Sequence, residues 1–323
     1  MNKSVEESPL KKLKIAIIGA GRVGTTVAYI LSKKKLPDLE LVLVASRSSS
    51  SIDRAREILG QHSKGIIFTL NISRALAKAN CVVITTPDDA IEEVCMELFG
   101  KVRHDLGATG AIKPVDLIAN KPFAVLHMSG SKSLGVLRCA EEKGAVVASI
   151  HPLKSFASIE EAIKTVAGTV FGVTFKDANG EAVAEQIVRG LDGSIIKVDD
   201  QKKPLYHAAA CIASNYLVSL LNYAVFIHER IGINPKDSLK GLMSLAQGTV
   251  ENIKKLGTRK SLTGPIARGD VGTIKEHLEN FSEYFQDDEV LPYRVMGRET
   301  AKIAYLNGWI DEEVYRSLLK LLE

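Results

Sequence analysis

The sequence predicts an α/β protein in which a mostly parallel sheet, covered by helices on both faces, is followed by an all-α domain. Three observations predict it. An apolar, β-branched run ending at Ile18 leads into Gly19-Ala20-Gly21-Arg22-Val23-Gly24 and then directly into helix-like sequence. Short apolar runs then alternate with segments of helical periodicity up to Asp199-Asp200. Beyond that point only helical periodicity remains, so the sheet ends there and a helical domain begins.

Each element has its own signal. After the first strand and its glycine-rich exit, Leu39–Ala45 reads as a second strand, followed by a helix over Asp53–Leu59 and a short strand over Ile66–Thr69. A helix over Ser73–Lys78 leads into the strand Cys81–Thr86, and Asp88–Phe99 is helical. Ala124–Gly130 is a fifth strand with its exit loop, and Ala145–Pro152 a sixth. Thr169–Thr174 and Ser194–Val198 are strands flanking a helix over Gly180–Leu191. The remainder predicts helices over Leu205–His228, Asp237–Lys255, Val271–Phe285, Pro292–Asn307 and Asp311–Leu322. Pro204 fits a helix start and Gly308 a stop. The expected organisation is a tail over 1–12, a sheet domain over 13–200 and a helical domain over 201–323.

The glycine spacing is that of a dinucleotide-binding, Rossmann-type fingerprint. Gly19 permits the tight turn, Gly21 lets the backbone approach a pyrophosphate, and Gly24 lets helix and strand pack closely. Ala20, Arg22 and Val23 complete the loop, whose free N–H groups and helix dipole favour phosphate. About twenty residues further on, an NAD site carries an acidic residue for the ribose hydroxyls. Here the second strand ends in Ala45-Ser46-Arg47-Ser48, with no carboxylate. The Arg47 fork can clamp a 2′-phosphate, and the Ser46 and Ser48 hydroxyls can donate to it, so NADP(H) is the expected coenzyme. Arg47 as a solvated surface charge and Ser48–Ser51 as a flexible loop is the plainer alternative. Thr86 and Pro87, in the loop after the fourth strand, are expected to lie across the coenzyme toward its nicotinamide end.

Composition excludes several other classes. The chain has 323 residues, 46% of them apolar, and a formal charge of +4 without a basic, aromatic-interleaved stripe, so nucleic acid is not implied. Cys81, Cys95, Cys139 and Cys211 are widely spaced, which fits buried thiols in a reducing cytoplasm and no metal site. Polar residues interrupt the apolar stretch Ala208–Ile227, so it reads as a buried central helix and not a membrane span.

The candidate chemistry lies beyond the strand ends. Ser129 follows the fifth strand, and His151-Pro152 the sixth, which puts both side chains at the ligand edge of the sheet. A histidine can donate a proton to a carbonyl receiving hydride or take one from a hydroxyl, and a serine can orient the same oxygen. His151 as a packing or capping residue is the alternative. On the following helix His207, Cys211, Ser214 and Asn215 share one face at helical spacing, either toward the cleft or in a polar seam. Arg268, in the loop Gly264–Asp270, can meet a substrate carboxylate or pair with Asp270.

Taken together, these stretches resemble Rossmann-like oxidoreductases with a helical domain of unassigned function. The resemblance rests on the fingerprint, Pro87-Asp-Asp-Ala-Ile91, His127-Met-Ser-Gly130, His151-Pro-Leu-Lys-Ser-Phe156, Tyr206-His-Ala-Ala-Ala210, Ala213-Ser-Asn-Tyr216 and Gly264–Asp270, spread over nearly the whole chain. The wider group includes 6-phosphogluconate dehydrogenase, ketopantoate reductase and pyrroline-carboxylate reductase. The resemblance implies an NADP-linked reductase acting on a small molecule, and a homodimer through the helical domain. Hydroxyacid dehydrogenases of the group carry Lys-x-x-x-Asn on the central helix. Asn215 matches the asparagine, but Cys211 stands at the lysine position, leaving Cys211 as a substrate contact and the usual proton donor missing. Prephenate dehydrogenases use a serine and a His-Pro histidine placed like Ser129 and His151. The expectation is that His151 replaces the lysine, with Ser129, Asn215 and His207 around the substrate oxygen. The expected reaction is reduction of a ketopantoate-type 2-oxo acid. The alternatives are C=N reduction and a non-catalytic NADP(H) sensor.

Overall fold

A computed structural model gives the structure of the protein, and residues 10–100 and 122–323 are described. The chain divides into two compact units, Met1–Ser214 and Asn215–Glu323. In the first, the elements run β1 (Leu13–Ile18), α1 (Arg22–Lys34), β2 (Leu39–Ala45), α2 (Ser49–Leu59), β3 (Ile67–Thr69), α3 (Arg74–Lys78), β4 (Cys81–Ile84) and α4 (Ile91–Phe99). They continue with β5 (Ala124–His127), α5 (Arg138–Glu141), β6 (Val146–Pro152), α6 (Ile159–Thr165), β7 (Val170–Phe175), α7 (Ala178–Gly190), β8 (Ser194–Lys197) and α8 (Lys203–Cys211).

The eight strands form one sheet in the order β3-β2-β1-β4-β5-β6-β7-β8. Every neighbouring pair is parallel except β6 with β7. The chain turns back between β1 and β4, where the strand order reverses. That switch point is where ligands bind in open sheets of this kind. The central strands are apolar on both faces because helices cover both. Ile15, Ile17 and Val83 enter one core cluster and Ala16, Ile18 and Val82 the other, following the two-residue period of a strand.

Several boundaries differ from the sequence reading. α2 begins at Ser49, and Ser48 is its N-cap, accepting from the Ser51 N–H, so Ser48–Ser51 is a helix start and not a loop. β6 ends at Pro152, the bound read from the sequence, but His151 and Pro152 pair with Gly172 and Phe171 of β7, so His151 sits in the strand and does not follow it. α5 and α6 were not anticipated. Cys95 and Cys139, distant in sequence, bring their free thiols to 2.8 Å.

The second unit contains α9 (Leu217–Arg230), α10 (Pro235–Lys260), α11 (Val271–Tyr284), α12 (Asp287–Leu306) and α13 (Glu312–Leu321). α12 starts five residues before Pro292 because Gln286 and Glu289 form a capping box, and the proline is carried inside the helix. Ile266, Ile274, Ala301, Ala304 and Leu318 make one core cluster, and Phe281, Phe285 and Val290 a second, against which Phe226 packs.

The largest correction concerns the helical stretch Asp200–Arg230. It is long and apolar enough to cross a membrane by length and composition, with a mean hydropathy of 1.6, yet none of its most apolar window is buried. Val218 is 69% exposed and Leu205 77%. The sequence reading made it a buried core helix. Phe226 and Ile227 near its end do pack on the Phe281 cluster, while its most apolar window stays exposed among the described residues. A π-helical turn over Ile212–Tyr216 also interrupts it. The shared α-helical face therefore ends at Cys211, and Ser214 and Asn215 lie in the wide turn.

Candidate active site

At the switch point the backbone folds tightly around the fingerprint. Gly19 has φ +115°, and a Cβ there would lie 2.8 Å from the Thr85 carbonyl carbon. A Cβ on Gly24 would run into the Gly19 carbonyl oxygen and Thr85 Oγ1. Thr85 Oγ1 donates to that same carbonyl at 2.7 Å, locking the exits of β1 and β4 together. Gly21 is different, because nothing lies within 4 Å of where its Cβ would be. Gly19 and Gly24 thus serve turn and packing, and the space over Gly21 is open.

A cleft of about 240 Å³ opens here, lined by Gly19, Ala20, Gly21, Ser46, Arg47, Ser48, Thr86 and Pro87, with Ile18, Ser51, Ile72, Thr85 and Val94. It gathers most of the residues expected to hold the coenzyme. Arg22, Val23 and Gly24 are outside the lining and form the first turn of α1. Thr86 Oγ1 is buried without a hydrogen-bond partner among the described residues. Arg47 is exposed and pairs with Glu93 of α4 at 3.2 Å, a partner brought by the fold from 46 residues away. Both side chains are well solvated, so this pair is weak and exchangeable.

The second group of residues lies where β5 and β6 end. Ser129 is tied at every polar atom. Its N–H donates to His127 Nδ1 at 3.1 Å, its Oγ accepts from the amides of Ser131 and Lys132, and its carbonyl accepts from Lys203 Nζ at 3.1 Å. The Ser129 hydroxyl is therefore first a turn-forming acceptor, with only its proton left to give. Ser131 Oγ donates to Asp88 at 2.7 Å and joins this loop to the one after β4.

His151 and His207 flank Gly130, and Tyr206 packs over Gly172 beside them. A Cβ at Gly130 would fall 2.7 Å from both imidazoles, so only glycine lets the turn pass between them. His151 Nδ1 lies 3.0 Å from the Tyr206 hydroxyl, and the His151 and His207 rings meet edge to face at 5.5 Å. His207 Nε2 faces Cys211 Sγ at 3.6 Å, and His207 Nδ1 is buried without a partner among the described residues. Burial, His207 and Lys203 together bring the His151 pKa down to about 4, against the pull of Asp88, so the ring is neutral near pH 7. Burial pushes Tyr206 up to about 12, so it keeps its proton. In the tautomer in which Tyr206 donates to Nδ1, the neutral His151 ring carries its proton on Nε2; in the other, Nδ1–H donates to the Tyr206 oxygen.

The first unit thus brings together Ser129, His151, His207 and Cys211. Asn215 and Arg268 belong to the second. Asn215 is exposed in the π-helical turn. Arg268 is exposed at the end of a short 3-10 turn, and its charge acts on Asp270, which caps α11 by accepting from Thr273 N–H and Oγ1. Sequence reasoning missed Tyr206 and Lys203 as site residues. The spacing of Tyr206 beside His207 was a signal, whereas Lys203 was read only as a domain boundary.

Residues 1–152 match the Rossmann-like domain family, and residues 169–300 match the domain of unknown function DUF2520. Among solved structures, it is similar to protein TM1727 of Thermotoga maritima, with 25% identity, 91% of this chain and 99% of that one covered, and a TM-score of 0.66. A pyrroline-5-carboxylate reductase of Coxiella burnetii aligns at 15% identity over 96% and 98% of the two chains, with a TM-score of 0.57. A reductive aminase of Aspergillus terreus, solved with NADPH and ethyl levulinate, aligns at 16% identity over 95% and 98%, with a TM-score of 0.59. At these identities the last two show the fold. The curated relative matched is the chloroplastic glycerol-3-phosphate dehydrogenase [NAD(+)] 1 of Arabidopsis thaliana, 22% identical over 163 residues. The chain spans 40% of its length.

Proposed function

We propose that the Rossmann-like–DUF2520 chain is an NADP(H)-dependent oxidoreductase that moves a hydride to or from the carbonyl or hydroxyl carbon of a small carboxylated metabolite. The observation that carries this is the switch-point cleft, where a phosphate-binding turn and a Ser46-Arg47-Ser48 corner line one space. The residues fit the coenzyme. The space over Gly21 is where a Cβ would obstruct it, and the buried Thr86 hydroxyl lacks a partner among the described residues. Arg47 would leave Glu93 for the 2′-phosphate, a charge-assisted fork contact stronger than the solvated pair it replaces. The structural relatives include an NADPH-bound enzyme and support the same reading.

When bound, NADPH supplies the hydride. The chain's own part is to place and charge the substrate oxygen. His151 is neutral, and in the tautomer in which it accepts from Tyr206 it donates its Nε2 proton to the carbonyl oxygen as negative charge builds there. As that proton leaves, the Tyr206 hydroxyl can return one at Nδ1, and the Gly172 N–H then steadies the Tyr206 oxygen. Oxidation of a hydroxyl runs the same transfers backward. The preferred substrate is a 2-oxo acid of the ketopantoate type.

A C=N reductase is the second reading, favoured by one observation. Cys211 occupies the position where hydroxyacid dehydrogenases of this group carry lysine, and an iminium needs no strong acid. The test is NADPH oxidation by the purified chain against a panel of 2-oxo acids and cyclic imines. Turnover of 2-oxo acids, reduced about a hundredfold or more in His151→Asn, is expected from the loss of a general acid. Turnover of imines alone would move the assignment to C=N chemistry. Tight NADPH binding without turnover of either class would contradict the enzyme and favour a sensor.

A further inference from the structure

The reaction as drawn makes no use of Lys203, yet it is 1% exposed and among the largest fully buried side chains in the protein. It opens α8, where its charge faces the positive end of the helix dipole. A buried ammonium also loses its hydration. Both effects oppose stability, and a methionine would fill the same space without either. What the lysine gains is a specific set of contacts. Nζ donates to the Ser129 carbonyl at 3.1 Å and to Ser149 Oγ at 2.6 Å. Ser149 lies on β6, two residues before His151 and on the same face of the strand. Tyr206 and His207 follow Lys203 at three and four residues on α8, the spacing that places all three on one helix face. Two of those three side chains pack against the His151 ring.

We propose that Lys203 is a positioning residue of this site: its ammonium ties the Ser129–Gly130 turn to β6 and sets a fixed positive charge beside the His151 ring. The proposal deepens the functional reading above and rests on it only in taking His151 as the working residue. The tie holds Gly130 between the two imidazoles, where the clearance for a Cβ is absent. The charge opposes protonation of His151. The other groups facing this cluster are Asp88 after β4, His127 on β5, Asp200 ahead of α8, and Tyr206, His207 and Cys211 on α8. Asp88 and Asp200 support the Lys203 charge while burial opposes it, bringing its pKa down to about 8.

The test is an imidazole titration by NMR on the full chain without coenzyme, with the His151 resonance assigned from His151→Asn. Cys211→Ser is present in every sample, so that no thiol stands beside His207. In Lys203→Met the His151 midpoint should rise by on the order of one pH unit, because a nearby like charge has been removed. Lys203→Arg keeps the charge and should restore the low midpoint. Equal midpoints in all three would overturn the proposal, since a purely packing role leaves the titration unmoved. If Lys203→Met does not fold, the parent chain decides alone. The Gly130 amide and the His151 ring shifts should step with a midpoint of about 8 as Lys203 loses its proton. A flat response from pH 7 to 10 would overturn it. No turnover is read, so failure of the assigned reaction leaves this outcome untouched.

Discussion

Gly21 and Gly24 carry the same side chain three residues apart and answer to different forces. A methyl group at Gly24 collides with backbone that cannot move without opening the β1–β4 junction. At Gly21, whose φ is −79°, alanine is conformationally ordinary and meets empty space. Gly24→Ala should therefore lower the urea midpoint, at the roughly 1–3 kcal/mol typical of overpacking. Gly21→Ala should leave that midpoint in place and weaken NADPH binding about tenfold or more, or at least 1.4 kcal/mol. Equal effects of the two on stability would mean that Gly21 is a folding residue only. At this scale the sequence was informative where spacing encodes mechanism, as in the fingerprint and the Ser46-Arg47-Ser48 corner. It was silent where partners come from far along the chain. Glu93 beside Arg47, Thr85 on the Gly19 carbonyl and the Cys95–Cys139 contact are products of the sheet, and no local pattern announces them.

Strands were legible because a sheet covered on both faces reads as apolar runs, and β4 does throughout, as do β1 after Lys14 and β2 after Glu40. Helix starts were less so. α12 was assigned from Pro292, although Gln286-x-x-Glu289 is itself a readable capping box, and α2 was begun late because its serine run looked like a loop. The stretch from α8 to α9 is the instructive failure. Its period predicts an apolar face, and periodicity cannot say whether that face meets its own chain or another. Val218 on α9 and Leu245 on α10 are 69% and 70% exposed. Apolar surface of this kind is stabilised by burial in a second copy, which is the homodimer we propose. Sedimentation should give twice the 35.0 kDa of the chain. The double variant Val218→Glu, Leu245→Glu should sediment as a folded monomer by the same measurement and circular dichroism. A monomeric parent chain would remove the dimer from the account.

At the scale of the whole molecule, the order of elements is the argument. Three strands on one side of the switch point supply the phosphate turn and the Arg47 corner. The strands on the other side supply Ser129 and His151, and α8 returns Lys203, Tyr206 and His207 to them. The proposed coenzyme corner and the proposed proton-handling group are thus separate parts of one sheet edge, assembled from residues spread over most of the first unit. The claim on which everything else depends is that this edge takes NADP(H). Calorimetric titration of the purified chain with NADPH and with NADH, repeated on Arg47→Asp, tests it most directly. The account predicts tighter binding of NADPH, and a loss of roughly tenfold to a hundredfold for NADPH alone in Arg47→Asp, the worth of a charge-assisted contact. Equal affinity for the two coenzymes, or an Arg47→Asp chain that binds NADPH as the parent does, would contradict it.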